Sequence, residues 1–312
     1  MHPTLIRIRD LALPGNWEIA GYVGDPMRAH EIVANTPPAF VFEGPVGTYY
    51  ADPILYRHHG RCALLFEEYV HSDRMARLFA QEIDERGGKI GEPQQIVRED
   101  WYMSFPYVAE VNGVLYLIPE TSQKGSITAY PCRKFPFDWD PHIMLFEGMN
   151  GVDTTLHVDG DTVYLLTSEK GGGGPDNRGA LSVYWCEAAG FPNAPWSPVP
   201  VGSGVRGRNA GALFHSGNSL IRPSQISIYS YGEKMSLRAV RRIGRDGYDE
   251  QEIGLIEPIG STMSHYHTLS SMGDLFVIDR KRIGLRPAIK AHIGRLQRMV
   301  ANARGRRGYS CE

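Results

Sequence analysis

Four carboxylates stand out because each occupies a comparable place in a repeated pattern. Asp52 lies eight residues before Gly60 and Asp153 seven before Gly160, while Glu67 and Glu120 lie seven residues after Gly60 and Gly113. Each glycine separates two apolar runs, which is the sequence form of a β-hairpin. Residues just before the first strand and just after the second end on the same edge of such a hairpin. Asp52, Glu67, Glu120 and Asp153 are therefore expected to converge on one rim. Glycosidic chemistry needs paired carboxylates: one gives a proton to the leaving oxygen, and the other acts as base, or as nucleophile toward the anomeric carbon. Clustering raises the pKa of at least one of them, which suits it to the acid role. In the alternative reading the four are hydrogen-bond anchors for strand starts and loops.

Arg208, Arg222, Gln225 and His267 come later in the chain and are expected to face the carboxylates across a channel. An arginine fork matches carboxylate and phosphate geometry, so an acidic sugar, a sugar phosphate or a nucleotide-linked sugar is the expected ligand. The same residues could instead form an arginine and carboxylate network that stiffens the fold. His265 and His267 are spaced as a ligand pair but lack a third member, and neither metal nor cofactor is expected. Gly202 to Gly207 fits the G-x-G-x-x-G spacing, yet strand-like sequence follows it where dinucleotide binding needs a helix. The run Gly171 to Gly174 lacks the Lys-Ser/Thr of a P-loop and reads as a loop.

The elements that must position these residues repeat along the chain. Turn glycines at 60, 113, 160, 217 and 273 recur every 47 to 57 residues. Their first strands start near Asp52, Phe105, Asp153, Gly211 and His267, and their second strands end near Phe66, Ile118, Leu166, Ile221 and Ile278. Ala76 to Ile83, Ser126 to Cys132, Leu181 to Cys186 and Met235 to Ile243 supply third strands. A period near 50 residues built of short strands is the size of a propeller blade. The fifth unit runs out of strand after Ile278, while Trp17 to Val23 and Phe40 to Phe42 are unassigned. These segments are expected to complete blade five and close the ring, which removes exposed sheet edges. The expected fold is all-β: a five-bladed β-propeller over residues 1–283, closed by N-terminal strands, with a basic tail over 284–312. Ile289, Ile293, Leu296, Val300 and Ala303 recur at helical spacing there, so a C-terminal amphipathic helix is predicted from Pro287 to Arg304. Such a helix would pack on the propeller or a second subunit, or dock peripherally on an anionic membrane.

Composition narrows the function classes. The chain of 312 residues is 42% hydrophobic and 22% charged, as a folded domain should be. From Asp279 onward basic residues exceed acids by eight, so the net charge of −2 leaves ten negative charges on residues 1–278. An acidic body argues against wrapping nucleic acid. The start of the chain lacks a secretory apolar core and the cysteines show no C-x-x-C spacing, so a cytoplasmic protein with free thiols is expected.

A resemblance sharpens this picture. Ala51-Asp52-Pro53, Ser104-Phe105-Pro106-Tyr107-Val108, Tyr116-Leu117-Ile118-Pro119-Glu120, Asp153-Thr154-Thr155, Leu220 to Gln225 and His267-Thr268 occur in that order. Together they resemble the N-terminal propeller domain of plant glucosamine inositolphosphorylceramide transferase and its bacterial relatives, over roughly residues 50 to 280. That domain is similar in turn to the five-bladed arabinanase, xylosidase and fructosidase clan, whose base is an Asp in an Asp-Pro pair. The resemblance implies that Asp52 is the base or nucleophile and that Ser104 and Tyr107 contact substrate. It also marks a departure, since Gly207-Arg208-Asn209-Ala210-Gly211 stands where Ala-Arg-Pro-Ala-Gly is expected. The leading expectation is a carbohydrate-active enzyme, hydrolase or glycosyl-transferring, working on a furanose or acidic sugar. The alternatives are a non-catalytic propeller that binds glycan or glycolipid for a partner glycosyltransferase, and a lyase or cyclase.

Overall fold

The structure is a computed structural model that describes residues 16–169, 180–228, 231–259 and 263–283, with isolated positions beyond them. Strand β1 (Asn16–Val23) and strand β2 (Phe40–Phe42) precede the first complete blade, β3 (Thr48–His58), β4 (Arg61–Val70), β5 (Met75–Ile83) and β6 (Lys89–Gln95). Blade two is β7 (Ser104–Val111), β8 (Val114–Glu120), β9 (Ser126–Lys134) and β10 (Asp138–Trp139), with β11 (Ile143–Glu147) also on β9. Blade three is β12 (Gly151–Asp159), β13 (Thr162–Glu169), β14 (Leu181–Glu187) and β15 (Ser197–Val199). Blade four is β16 (Phe214–Ser216), β17 (Ser219–Ile226), β18 (Lys234–Gly244) and β19 (Gly247–Ile256). Blade five takes β20 (Met263–Met272) and β21 (Leu275–Arg282), then β1 and β2.

The sequence explains the order of layers within a blade. The second strands of blades one, two, three and five carry unbroken apolar runs, such as Cys62 to Phe66 and Leu115 to Ile118, and are buried on both faces because neighbouring blades pack against them. The fourth strand of blade one, KIGEPQQ, is largely exposed at the rim. Ring closure follows the expected pairing, with β1 antiparallel to β21 from Asn16 opposite Arg282 to Val23 opposite Leu275. Blade four departs from expectation: its first strand begins only at Phe214, and Gly211 to Leu213 are not strand. There the chain presses on blade five, where Leu269 N–H donates to the Ala210 carbonyl at 2.7 Å. A Cβ at Gly211 would stand 1.9 Å from the Leu269 carbonyl oxygen, and its φ of +131° also favours glycine.

The helix lies at the other end of the chain from where periodicity put it. The α-helix described over its whole length is α1 (Ala29–Asn35), near the N-terminus, preceded by a 3-10 turn over Pro26–Arg28. Asp25 caps the Met27 N–H at 2.9 Å, and Pro26 supplies a fixed φ at the helix start. Ala29, Ile32 and Val33 pack into the core between blades four and five. The predicted C-terminal helix is thereby corrected. Most of Pro287 to Arg304 lies outside the described residues, and Ile289, Ile293 and Leu296 of its apolar stripe are 37 to 55% exposed instead of packed on the propeller. No helix among the described residues is long and apolar enough to cross a membrane.

Candidate functional site

The site is built by a bulge that recurs in the first strands. In blades one, two, three and five the pairing of first and second strands slips by one residue: between Ala51 and Ile54, Ser104 and Tyr107, Val152 and Thr155, and Tyr266 and Leu269. Two residues then oppose one, which bends the strand and re-aims a side chain. The residues at these bulges are Asp52, Phe105, Asp153 and His267. Three of them hold left-handed backbone, with φ of 50° at Asp52, 47° at Phe105 and 48° at Asp153. Such backbone costs a non-glycine residue ~1–3 kcal/mol and is concentrated at functional sites.

Asp52, Glu67, Glu120, Ser104, Arg208 and His267 line one cavity of about 660 Å³ at the channel mouth. Asp52 Oδ1 accepts from Thr268 Oγ1 at 2.9 Å and lies 3.4 Å from His267 Nε2, while Oδ2 accepts from the Phe105 N–H at 3.2 Å. Burial pushes Asp52 up to about 6, helped by Asp153 and Asp279 and opposed by His267 and the Thr268 hydroxyl. Glu67 is less well served. Its Oε2 is buried with no hydrogen-bond partner, and burial, then Asp52 and Glu120, hold the carboxyl well above the usual range. Glu120 accepts from Ser122 at 2.8 Å and from Arg208 at 3.4 Å; burial still raises it to about 7.

Asp153 lies in the same cluster but behind a clamp. Its Oδ2 accepts from Arg208 Nε at 2.6 Å and Gln225 Nε2 at 2.8 Å, so Gln225 positions Asp153. Asn209, the departure from the expected motif, brings its amide within reach of the Asp153 carbonyl, Thr155 Oγ1 and the Leu166 carbonyl at 2.7, 3.2 and 2.9 Å. It thus ties blade four to blade three. Two other expected site residues lie elsewhere. Arg222 is fully buried inside blade four, paired with Glu250 at 2.6 Å. The Tyr107 hydroxyl donates to the Leu156 carbonyl at 2.7 Å, across to blade three.

Asp279 is the contributor that spacing from the turn glycines does not reveal. It is fully buried, accepts the Thr268 N–H at 2.8 Å and the Asp52 N–H at 3.0 Å, and lies 2.6 Å from His267 Nδ1. Its signal in the sequence is a lone acid that directly follows the apolar run Leu275 to Ile278 and precedes three basic residues. Burial works against the charged imidazole, yet Asp279 and then Asp52 outweigh it and hold His267 above the ordinary histidine value. Asp52, His267 and Asp279 offer donor atoms within 4.8 Å of one another, as a metal site would. However, each carboxylate oxygen of the triad already faces a protein donor. Asp279, His267 and Asp52 thus form a chain of adjacent charged groups, in which His267 Nδ1 lies 2.6 Å from Asp279 without making a hydrogen bond.

Aromatic residues shape the rest of the cavity. Trp17 lies 4.2 Å from His267 between ring centroids, Tyr231 lies 5.3 Å from the same ring, and Tyr49 and Tyr102 line the opposite wall. Such faces suit the apolar side of a sugar ring while carboxylates and amides meet its hydroxyls.

The fold is shared with solved carbohydrate-active proteins. The catalytic domain of an α-L-arabinofuranosidase from Coprinopsis cinerea aligns with a TM-score of 0.54 at 12% identity, covering 76% of this chain and 95% of that one. An exo-β-1,3-galactanase from Clostridium thermocellum aligns with a TM-score of 0.51 at 13% identity, over 72% of this chain and 55% of that one. At such identities the likeness is one of fold. In sequence, glucosamine inositolphosphorylceramide transferase 1 of Arabidopsis thaliana is 25% identical over 264 residues, 77% of this chain and 34% of that protein. Its namesake in Oryza sativa subsp. japonica is 25% identical over 218 residues, 68% and 29% of the two chains. The chain thus spans about a third of the length of the curated relatives it matches. The family model for glucosamine inositolphosphorylceramide transferase 1, N-terminal, matches residues 36–263, well over half of the chain, and the chain belongs to that family.

Proposed function

We propose that the channel mouth is a glycosyl-processing active site for a furanose or an acidic sugar, with Asp52 and Glu67 dividing the work. The observation that carries this reading is the unequal treatment of two buried carboxylates in one cavity. Asp52 is oriented by donors on both oxygens and ionises near 6, so it is charged at neutral pH and suited to act as base or nucleophile. Glu67 has an oxygen without a partner and holds its proton well above the usual range, so it is suited to protonate a leaving oxygen. In the step that follows from this division, the Glu67 proton passes to the leaving oxygen as its bond to the anomeric carbon breaks. Asp52 either bonds to that carbon or takes the proton of the attacking hydroxyl or water. Arg208, held by Asp153, would stabilise charge at Glu120 through the cycle.

The test is turnover of a pooled panel of aryl glycosides and nucleotide sugars by the wild-type chain and by Asp52→Asn and Glu67→Gln. Each variant should lose on the order of 10²-fold or more in kcat while staying folded, which is about the worth of general acid-base assistance. A second reading has its own support: the chain corresponds to about a third of relatives named as transferases. In that case the propeller binds a glycan and a partner does the chemistry. Saturable binding of a panel sugar with no product, unchanged in both variants, would replace the catalytic reading by this one.

A further inference from the structure

Three cationic side chains line the cavity: Arg74, Arg208 and His267. Two are already engaged. Arg208 is held by Asp153 and Glu120, and His267 by Asp279 and Asp52. Arg74 is not, since no carboxylate among the described residues pairs with it; its neighbour Asp73 is taken by Arg77 at 2.6 Å and by the Met75 N–H at 2.9 Å. Arg74 ends the turn between β4 and β5, where its N–H donates to the Val70 carbonyl at 2.9 Å and its φ is 60°. This conformation is unfavourable for an arginine, and the turn that holds it places Arg74 in the cavity lining.

Neutral donors complete that edge from blade two. Gln123 uses its Oε1 to accept the Tyr102 N–H at 3.0 Å, which leaves its amide NH₂ as the end available to a ligand. The Tyr102 hydroxyl is kept protonated above all by burial, so it remains a donor. A guanidinium without a carboxylate partner, lining the same cavity as an amide NH₂ and a hydroxyl, is part of the donor set that a phosphate or carboxylate accepts from. Resting on the reading of the cavity as a sugar site, we propose that Arg74 is its specificity-determining residue and binds an anionic group, phosphate or carboxylate, carried by the substrate.

The experiment is titration calorimetry of the full chain with hexose and pentose 1-phosphates, with uronates, and with the parent free sugars. Arg74→Asn removes the charge, and asparagine tolerates the left-handed backbone of the turn; Arg74→Lys keeps the charge but loses the fork. Arg74→Asn should weaken binding of an anionic probe about tenfold, the scale of one charged hydrogen bond. Arg74→Lys should recover part of the loss, with neutral sugars and the melting temperature unmoved. Phosphate and uronate arms tell which anion the site takes. Equal anion affinity in wild type and Arg74→Asn would overturn the proposal, as would wild-type binding of neutral sugars alone, which leaves the sugar reading standing. Absence of binding by every sugar in the panel overturns the sugar reading itself.

Discussion

In blade four, Glu250 receives Arg222 Nε at 2.7 Å, Arg222 Nη2 at 2.6 Å and the Tyr248 hydroxyl at 2.7 Å, with Arg238 beside them. At the channel mouth, Glu67 is equally buried and one of its oxygens has no partner. Burial works to raise both carboxyls. At Glu250 Arg222, Tyr248 and Arg238 outweigh it and hold the group below its ordinary value, whereas at Glu67 the neighbours Asp52 and Glu120 add to it. The lesson is that depth alone does not mark a reactive group. A buried acid whose lone pairs are all matched is part of the scaffold, and one left among like charges carries a proton it can give away.

Removing one partner from each cluster would break or sharpen this comparison most strongly. Arg222→Met should leave Glu250 short of compensation and lower stability by about 3–5 kcal/mol, the range seen when a buried ion pair loses one member. In a chain of this size that is a fall of about five to eight degrees in Tm. Turnover per folded molecule should stay near wild type, because Arg222 does not line the cavity. Glu67→Gln should do the reverse, leaving Tm level or higher while turnover falls. Scanning calorimetry beside kinetics on both variants checks the pair; an Arg222→Met protein as stable as wild type would remove the distinction between the clusters.

pH separates the same two regions by sign. Asp52 and Glu120 have folded pKa values of about 6 and about 7, above their unfolded values, and Glu67 is likewise raised well above its own by burial. Each is easier to ionise once unfolded, so each erodes stability as pH rises from about 4 toward 7. Glu250 is held below its unfolded value. Its contribution is present above about 4.5 and is lost as pH falls through the folded pKa. His267 is raised, so its contribution is full below about 6.5 and fades as pH rises through the folded value. Wild-type Tm should therefore fall between pH 5 and pH 7, and the slope should flatten in Asp52→Asn and Glu120→Gln. If Asp52 is the base, kcat/KM should rise with pH through about 6 on the acid side. A Tm slope unchanged in both variants would show that these carboxyls are not the titrating groups.

Much of this arrangement was legible in the sequence because propeller geometry is periodic. Hairpin glycines fixed where strands begin, and equal offsets from them brought Asp52, Glu67, Glu120 and Asp153 into one cluster. Arg208 and His267, assigned to blades four and five, and Ser104, grouped by the motif resemblance, also line that cavity. Arg222 lies elsewhere because membership of a blade says neither which face a residue presents nor what waits across the sheet. The counterion of Arg222, Glu250, comes from the outermost strand of the blade, 28 residues away, and no local pattern announces it. The bulges were likewise invisible, since a one-residue slip follows from packing between strands; Phe105 shows this, a bulge residue whose side chain carries no chemistry. The short helix α1 was missed because its seven residues are too few for a periodic stripe, while the tail periodicity suggested packing that the exposed Ile289, Ile293 and Leu296 do not make.

The smallest expected effect comes from Tyr107, which the sequence motif grouped with substrate contacts. The bulge at Phe105 places the Tyr107 side chain between blades two and three, where its hydroxyl meets the Leu156 carbonyl at 2.7 Å. Burial pushes this hydroxyl well above the ordinary tyrosine value, so it stays a donor at every pH at which the protein is folded. Tyr107→Phe keeps the ring and removes one neutral hydrogen bond, leaving one buried carbonyl short of a donor. The loss should be about 1 kcal/mol, which is about one to two degrees in Tm for a chain of this length. Since the hydroxyl points away from the cavity, kcat and KM should both remain within about twofold of wild type. A rise in KM without a fall in Tm would return Tyr107 to the substrate and show that blades two and three part at the mouth to admit a ligand between them.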